Sequence, residues 1–230
     1  MPPLNAQYNV AAPHSLPVRV AARARRKMYD RFLDGVRPRS GESILDVGVT
    51  SERQYEASNY LEAWHLDKTC ITAVGLDDAG FLKTMYPGLL FCRANGVQLP
   101  FRTAAFDIVH SSAVLEHVGS HANQRRFIDE LARVARRAVF ITTPNRWFPI
   151  EFHSLLPMVH WLPKPVFRRF LHLIGHTDLA EERNLNLLGP RELKELCAGL
   201  KGWRIDQGTI STFGWPSNLL LRLYRSDGRE

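Results

Sequence analysis

The segment Ile44-Leu45-Asp46-Val47-Gly48 decides the fold: an apolar run containing two β-branched residues ends in an acid and a glycine. It reads as a strand, and a doubly wound sheet opens its ligand crevice beyond the carboxyl ends of such strands. Glycine lets backbone approach a ligand closely, while Asp46 offers an acceptor to a charged amino group or to a backbone amide of the turn.

Working outward, short β-branched runs at Ser43–Val47, Cys70–Leu76, Leu89–Arg93, Phe106–Ser111 and Ala138–Thr142 alternate with helical stretches at Glu52–Trp64, Gly80–Met85 and His121–Arg136. This alternation predicts a parallel, doubly wound α/β sheet with right-handed crossovers. A helix at Pro190–Ala198 and strands at Trp203–Ile210 and Asn218–Tyr224 complete the core pattern. Upstream, four prolines in residues 1–17 predict a flexible arm, followed by a basic helix at Val18–Leu33. Residues 18–230 read as one domain, interrupted at about 146–189 by an aromatic and basic insertion over the site.

With 230 residues, 45% of them apolar, the chain can bury a full core. Its net charge of +7 favours an anionic partner: a phosphorylated metabolite, an acidic membrane surface or nucleic acid. The clusters Arg19–Lys27, Arg133–Arg137 and Lys164–Arg169 read first as solvated helix faces. Cys70, Cys92 and Cys197 show no paired or metal-binding spacing and read as reduced core residues. No apolar run reaches the roughly 18 residues needed to span a bilayer, so a cytoplasmic protein is expected.

Val74-Gly75-Leu76-Asp77 ends a second strand in an acid able to accept both hydroxyls of a ribose. The most specific stretch follows: Ala94-Asn95-Gly96-Val97-Gln98-Leu99-Pro100-Phe101, then Phe106-Asp107-Ile108-Val109 and Leu115-Glu116-His117-Val118. On these elements, residues from Glu42 to Thr143 resemble the class I S-adenosylmethionine-dependent methyltransferases, especially the type 11, quinone-biosynthesis-like subgroup. That resemblance implies a Rossmann-like, mostly parallel seven-stranded sheet with an antiparallel last strand and helices on both faces.

It also implies S-adenosyl-L-methionine as cofactor. The turn from Asp46 through Gly48 to Thr50 would hold the methionine end, Asp77 the ribose, and Asn95 with Gly96 the adenine, in a pocket shaped by Leu99–Phe101, with Ser112 at the end of the fourth strand. Two departures stand out. Val49 and Thr50 occupy positions where the family often has glycines, which predicts a rearranged contact, with Ser58 and Asn59 facing the cofactor from an extra turn near Gln54–Asn59. Asn95 replaces the usual aspartate, and its amide oxygen still accepts a hydrogen bond. A dinucleotide-binding dehydrogenase would need a GxGxxG turn, which is absent here.

For catalysis, in-line methyl transfer needs positioning above all, with a general base only for weak nucleophiles. His117, just past the fourth strand, is the first candidate base on the strength of an ordinary imidazole pKa. Asn145, Glu151 and His153, in the segment leaving the fifth strand, could bind or deprotonate an acceptor, and Arg146 could hold an acidic one; equally, they could stitch down an irregular loop. Glu151, His153 and His160 match no metal-site spacing, so no metal is expected.

Trp147 to Leu162, followed by Lys164, Arg168 and Arg169, combines apolar anchors with positive charge and reads as a lid, a dimer surface or an interfacial segment suited to a lipid-linked acceptor. The expected function is methylation, preferably of oxygen, on a small-molecule or lipid-linked acceptor, with peripheral membrane contact as an accompanying expectation. The alternatives are a methyltransferase-like scaffold without activity and a peripheral membrane-binding protein. Nucleic acid is disfavoured as acceptor, because Ser112-Ala113-Val114-Leu115 lacks the Pro-Pro-aromatic element that grips a flipped base.

Overall fold

The computed structural model describes residues 16–53 and 55–226, so the arm expected over 1–17 falls outside it except for its last two positions. In chain order the elements are α1 (Leu16–Val36), β1 (Ile44–Val47), a 3₁₀ turn (Glu56–Asn59), α2 (Tyr60–Trp64), β2 (Ile71–Gly75), α3 (Leu82–Met85), β3 (Leu90–Arg93) and β4 (Phe106–Ser112). A second 3₁₀ turn (Leu115–His117), α4 (His121–Val134), β5 (Ala135–Pro144), a third 3₁₀ turn (Val159–Trp161) and α5 (Lys164–Leu173) follow. The chain closes with α6 (Thr177–Ala180), α7 (Pro190–Leu196), β6 (Trp203–Thr212) and β7 (Trp215–Arg225).

The seven strands form one sheet in the order β3-β2-β1-β4-β5-β7-β6, with β7 antiparallel to both neighbours and the ladders from β3 to β5 all parallel. This is the expected architecture. Strand order reverses between β1 and β4, so the crevice of a doubly wound fold opens at the carboxyl ends of these two strands.

Each face of the sheet has its own core. α4 and α7 cover one face, with Phe127, Ile128, Leu131, Leu193 and Leu196 packing on Leu45, Val47 and Val109. α1 covers the other, with Met28, Tyr29 and Phe32 against Ile44, Ile108 and Phe140. The insertion carries a small third core of Phe167, Leu171, Leu179, Leu185 and Leu187, which orders it over the crevice side. Ser120 caps α4 by accepting from Asn123 N at 3.3 Å, and Pro190 starts α7 where an amide hydrogen would have no helical partner.

Two helical expectations run long: the stretch expected from Glu52 becomes an α-helix only at Tyr60, after a 3₁₀ turn, and α4 passes without a loop into β5 at Ala135. Arg136 and Arg137 are therefore strand residues, paired with Asp107 and Glu42. Arg133 reaches Glu130 and the carbonyls of Leu99 and Phe101. This basic cluster is thus engaged within the fold rather than forming a plainly solvated face. Among the described residues no helix is long and apolar enough to cross a membrane.

Candidate active site

A cavity of about 490 Å³ lies at the carboxyl ends of β1, β2 and β4, within the roughly 300–1,000 Å³ range of small-molecule sites. Gly48, Gly75 and Ser112 mark the three strand ends on its wall, α1 contributes Ala21, Arg25 and Met28, and the insertion contributes Phe152, His153 and Leu155.

Close approach at the strand ends depends on glycine. Gly48 has φ +109°, and a Cβ there would lie 2.0 Å from Val114 Cγ2. A Cβ on Gly96 would lie 2.5 Å from Phe127 Cε2 in the core. The β1 turn, short of glycines, is held instead by Asn59, whose Oδ1 accepts from Thr50 N at 2.9 Å while its Nδ2 donates to Thr50 O at 3.0 Å. Ser58 lines the cavity, but Asn59 is buried under the turn as a two-pronged clamp, which corrects the expectation that both face the cofactor.

Of the cofactor candidates, Gly48, Thr50, Asn95, Gly96 and Ser112 lie on the cavity wall. Asn95 Oδ1 accepts from Val97 N at 3.1 Å, which leaves that oxygen a second lone pair. Ser112 Oγ lies 2.9 Å from Thr142 Oγ1. Asp46, Asp77 and Leu99 are buried off the wall. At the end of β2 the wall is Gly75 and Leu76, with Asp77 just beyond. Leu99 packs into the α4 core, its amide donating to Glu130 Oε2.

Asp46 stands level with His110 in the parallel β1–β4 ladder, and its Oδ1 lies 2.7 Å from His110 Nδ1. Tyr60 OH approaches His110 Nε2 at 2.8 Å from the other side. Burial raises Asp46 to about 7, raises the adjacent Glu62 well above the usual carboxylate range, and lowers His110 to about 4.

The catalytic candidates separate into two groups. His117 and His153 lie on the wall with Nε2 atoms 3.2 Å apart, and the fully buried Glu116, between Leu115 and His117 in the 3₁₀ turn, joins them. Glu151 is a support, accepting from His153 Nδ1 at 2.6 Å, His153 N at 2.8 Å and Ser154 N at 2.6 Å. Against burial, the His153 imidazole and these donors hold Glu151 at about 2. Asn145 takes up loop contacts, donating to Pro216 O and accepting from Trp147 N. Arg146 likewise reaches the carbonyls of His160 and Leu162.

His117 does not keep the ordinary imidazole pKa expected of it: burial, then the neighbouring His153, pulls it down to about 3. His117 is therefore a neutral imidazole, and a weak base. Sequence reading also missed Arg25 and Glu116. Ala21, Arg25 and Met28 recur at helical spacing, so Arg25 belongs to the inward stripe of α1 even though it sits in a basic cluster.

Residues 45–141 match the family model described as a methyltransferase domain. No curated protein matches the sequence. Among solved structures, magnesium protoporphyrin IX methyltransferase from Synechocystis PCC 6803 with bound S-adenosylhomocysteine aligns with TM-score 0.61 and 16% identity, over 96% of this chain and 91% of that one. The PH0226 protein of Pyrococcus horikoshii OT3 aligns with TM-score 0.60 and 13% identity, over 95% and 98%. A methyltransferase in complex with a Haloferax volcanii methyltransferase activator aligns with TM-score 0.54 and 14% identity, over 91% and 96%. At these identities the structures establish the shared fold, and the family match adds that residues 45–141 are similar to a methyltransferase domain, a fold seen with bound S-adenosylhomocysteine in the Synechocystis neighbour.

Proposed function

We propose that the chain transfers a methyl group to an oxygen of a small-molecule or lipid-linked acceptor, within one catalytic domain spanning residues 18–230. The observation that carries this reading is a single cavity whose wall combines the glycine-bearing strand ends with a histidine pair, His117 from the turn after β4 and His153 from the insertion.

The residues present fit the cofactor. Gly48, Gly75 and Gly96 admit close backbone approach, Thr50, Asn95 and Ser112 supply hydrogen-bonding groups, and Val74, Val97 and Phe127 supply apolar wall. Bound there, the cofactor supplies a methyl group on a sulfonium. The chain's own part is to hold an acceptor oxygen in line with that methyl and to keep water away, by closing α1 and the insertion over the crevice. Glu151 fixes the ring of His153, and Asn184 O fixes that of His117 at 2.6 Å, so both imidazoles are oriented before an acceptor arrives.

A lipid-linked acceptor, as in the quinone-biosynthesis-like subgroup, is favoured by exposed apolar residues on the insertion: Trp147, Ile150, Leu155 and Met158, of which Leu155 also lines the cavity. Peripheral membrane contact through this rim accompanies that reading. Calorimetry with S-adenosylhomocysteine tests the central claim: saturable one-to-one binding is expected, and its absence from the folded protein refutes it. Vesicle flotation, with and without anionic lipid, separates a membrane-presented acceptor from a soluble one.

A further inference from the structure

We propose that Glu116 Oε1, His117 Nε2 and His153 Nε2 form a binding site for a divalent first-row transition-metal ion on the wall of the cavity. The three donor atoms lie within 4.8 Å of one another. Nε2 of His117 is 3.2 Å from Nε2 of His153 and 3.7 Å from Glu116 Oε1. Ligand atoms about 2.1 Å from a tetrahedral zinc stand roughly 3.4 Å apart, so a small turn of the Glu116 side chain completes the set.

The hydrogen bonds around the cluster fix which atoms face inward. His117 Nδ1 lies 2.6 Å from the carbonyl oxygen of Asn184, which only accepts, so Nδ1 carries the hydrogen. His153 Nδ1 lies 2.6 Å from Glu151 Oε1 and donates to that carboxylate. Both rings therefore turn Nε2 toward the same point, where a cation or a shared proton relieves the meeting of two lone pairs. Glu116 is wholly buried; its Oε2 accepts from Thr143 Oγ1 at 2.8 Å, while Oε1 meets no hydrogen-bond donor among the described residues.

A buried acceptor left without a partner costs about 1–3 kcal/mol, and a metal ion removes that cost. Histidine ligands ordinarily donate their other ring N–H to a carbonyl or carboxylate, and here both do. Two imidazoles and one carboxylate suit zinc, iron or manganese better than magnesium or calcium. Because all three residues line the cavity, the remaining coordination positions open toward the acceptor. An acceptor oxygen could bind there and become more acidic, a consequence that rests on the methyl-transfer reading, whereas the metal site itself does not.

The test uses the whole chain after dialysis against a chelator, titrated with Zn²⁺, Mn²⁺ and Mg²⁺ by calorimetry and with Co²⁺ by visible spectroscopy. One equivalent of Zn²⁺, and of Co²⁺ with nitrogen-ligand absorption bands, is expected. Affinity should fall at least tenfold in Glu116→Gln and His153→Asn, and roughly 10–100-fold in the supporting variant Glu151→Gln. Circular dichroism checks that each variant folds, and if one does not, a Zn²⁺-dependent rise in the wild-type Tm, reversed by chelator, still reports on binding.

Failure of the wild type to bind Zn²⁺, Mn²⁺ or Co²⁺ stoichiometrically overturns the proposal and leaves a proton shared between the two rings. Binding undiminished in the folded variants overturns it equally, by placing the ion elsewhere. Neither result touches S-adenosylhomocysteine binding, on which the methyltransferase reading is judged separately.

Discussion

Gly48→Ala should damage both stability and cofactor binding, and its cost divides into two separable parts. The residue has φ +109°, a region that costs an L-residue roughly 1–3 kcal/mol. The added methyl would also lie 2.0 Å from Val114 Cγ2 and 3.2 Å from Val114 Cβ. Val114 is β-branched and half-buried at the head of the 3₁₀ turn, so it yields only by leaving its rotamer, an overpacking cost of roughly 1–3 kcal/mol. Together these predict a loss of about 2–6 kcal/mol, read as a lower urea midpoint at unchanged slope. In a Val114→Ala background the 2.0 Å clash goes, only the milder 3.2 Å contact with the residue-114 Cβ is left, and the backbone strain remains, so the same substitution should cost only about 1–3 kcal/mol. A Gly48→Ala chain within about 0.5 kcal/mol of wild type, or an equal cost in both backgrounds, would show that the turn is not held this tightly. Affinity for S-adenosylhomocysteine should fall alongside stability, since Gly48 and Val114 both line the cavity.

Asn59→Ala removes both hydrogen bonds to Thr50, at a net cost of about 1–3 kcal/mol. It should also weaken S-adenosylhomocysteine binding measured by calorimetry; unchanged affinity would mean that the β1 turn keeps its shape without the clamp. Glu62→Gln should gain stability relative to wild type as pH rises. Burial, then the Asp46 charge, raises Glu62 above its ordinary value of 4.5, so above that pH the folded chain keeps a proton that the unfolded chain releases. Stability linked to this acid is present below the unfolded value and lost as pH climbs toward the folded one. Urea midpoints of the two proteins, compared from pH 5 to pH 8, should diverge in favour of the variant, and convergence toward pH 8 would contradict the assignment.

The core strands were legible because each is an apolar run bounded by turn residues, and the pattern survived even where Val49 and Thr50 displaced the usual glycines. The start of β5 was not, since Ala135-Arg136-Arg137 continues the charge and spacing of α4. Only tertiary partners, Asp107 for Arg136 and Glu42 for Arg137, make those charges tolerable at the start of a strand. The role of Asp46 was hidden by strand alternation. Leu45 and Val47 face the α4 core, so Asp46 turns to the opposite side with Ile44. There its ladder neighbour His110 meets it beneath the turn, away from the main cavity.

The histidine cluster shows where local pattern ends and tertiary structure begins. His117 was recognisable from its place after β4, and His153 from its segment leaving β5, but nothing in either stretch specifies that they meet. Thirty-six residues separate them, and the contact exists because the insertion folds back on its own core of Phe167, Leu171, Leu185 and Leu187. Glu116 reads in the sequence only as part of the Leu115–Val118 motif, yet a 3₁₀ turn spaces successive side chains about 120° apart. Leu115 can therefore fill the core while Glu116 and His117 both reach the cavity wall. It follows that the sheet sets the strand-end side of the cavity, whereas the side carrying the histidine pair depends on the stability of the insertion: loosening its small core would separate His153 from His117 and Glu116 while leaving every strand of the sheet in place.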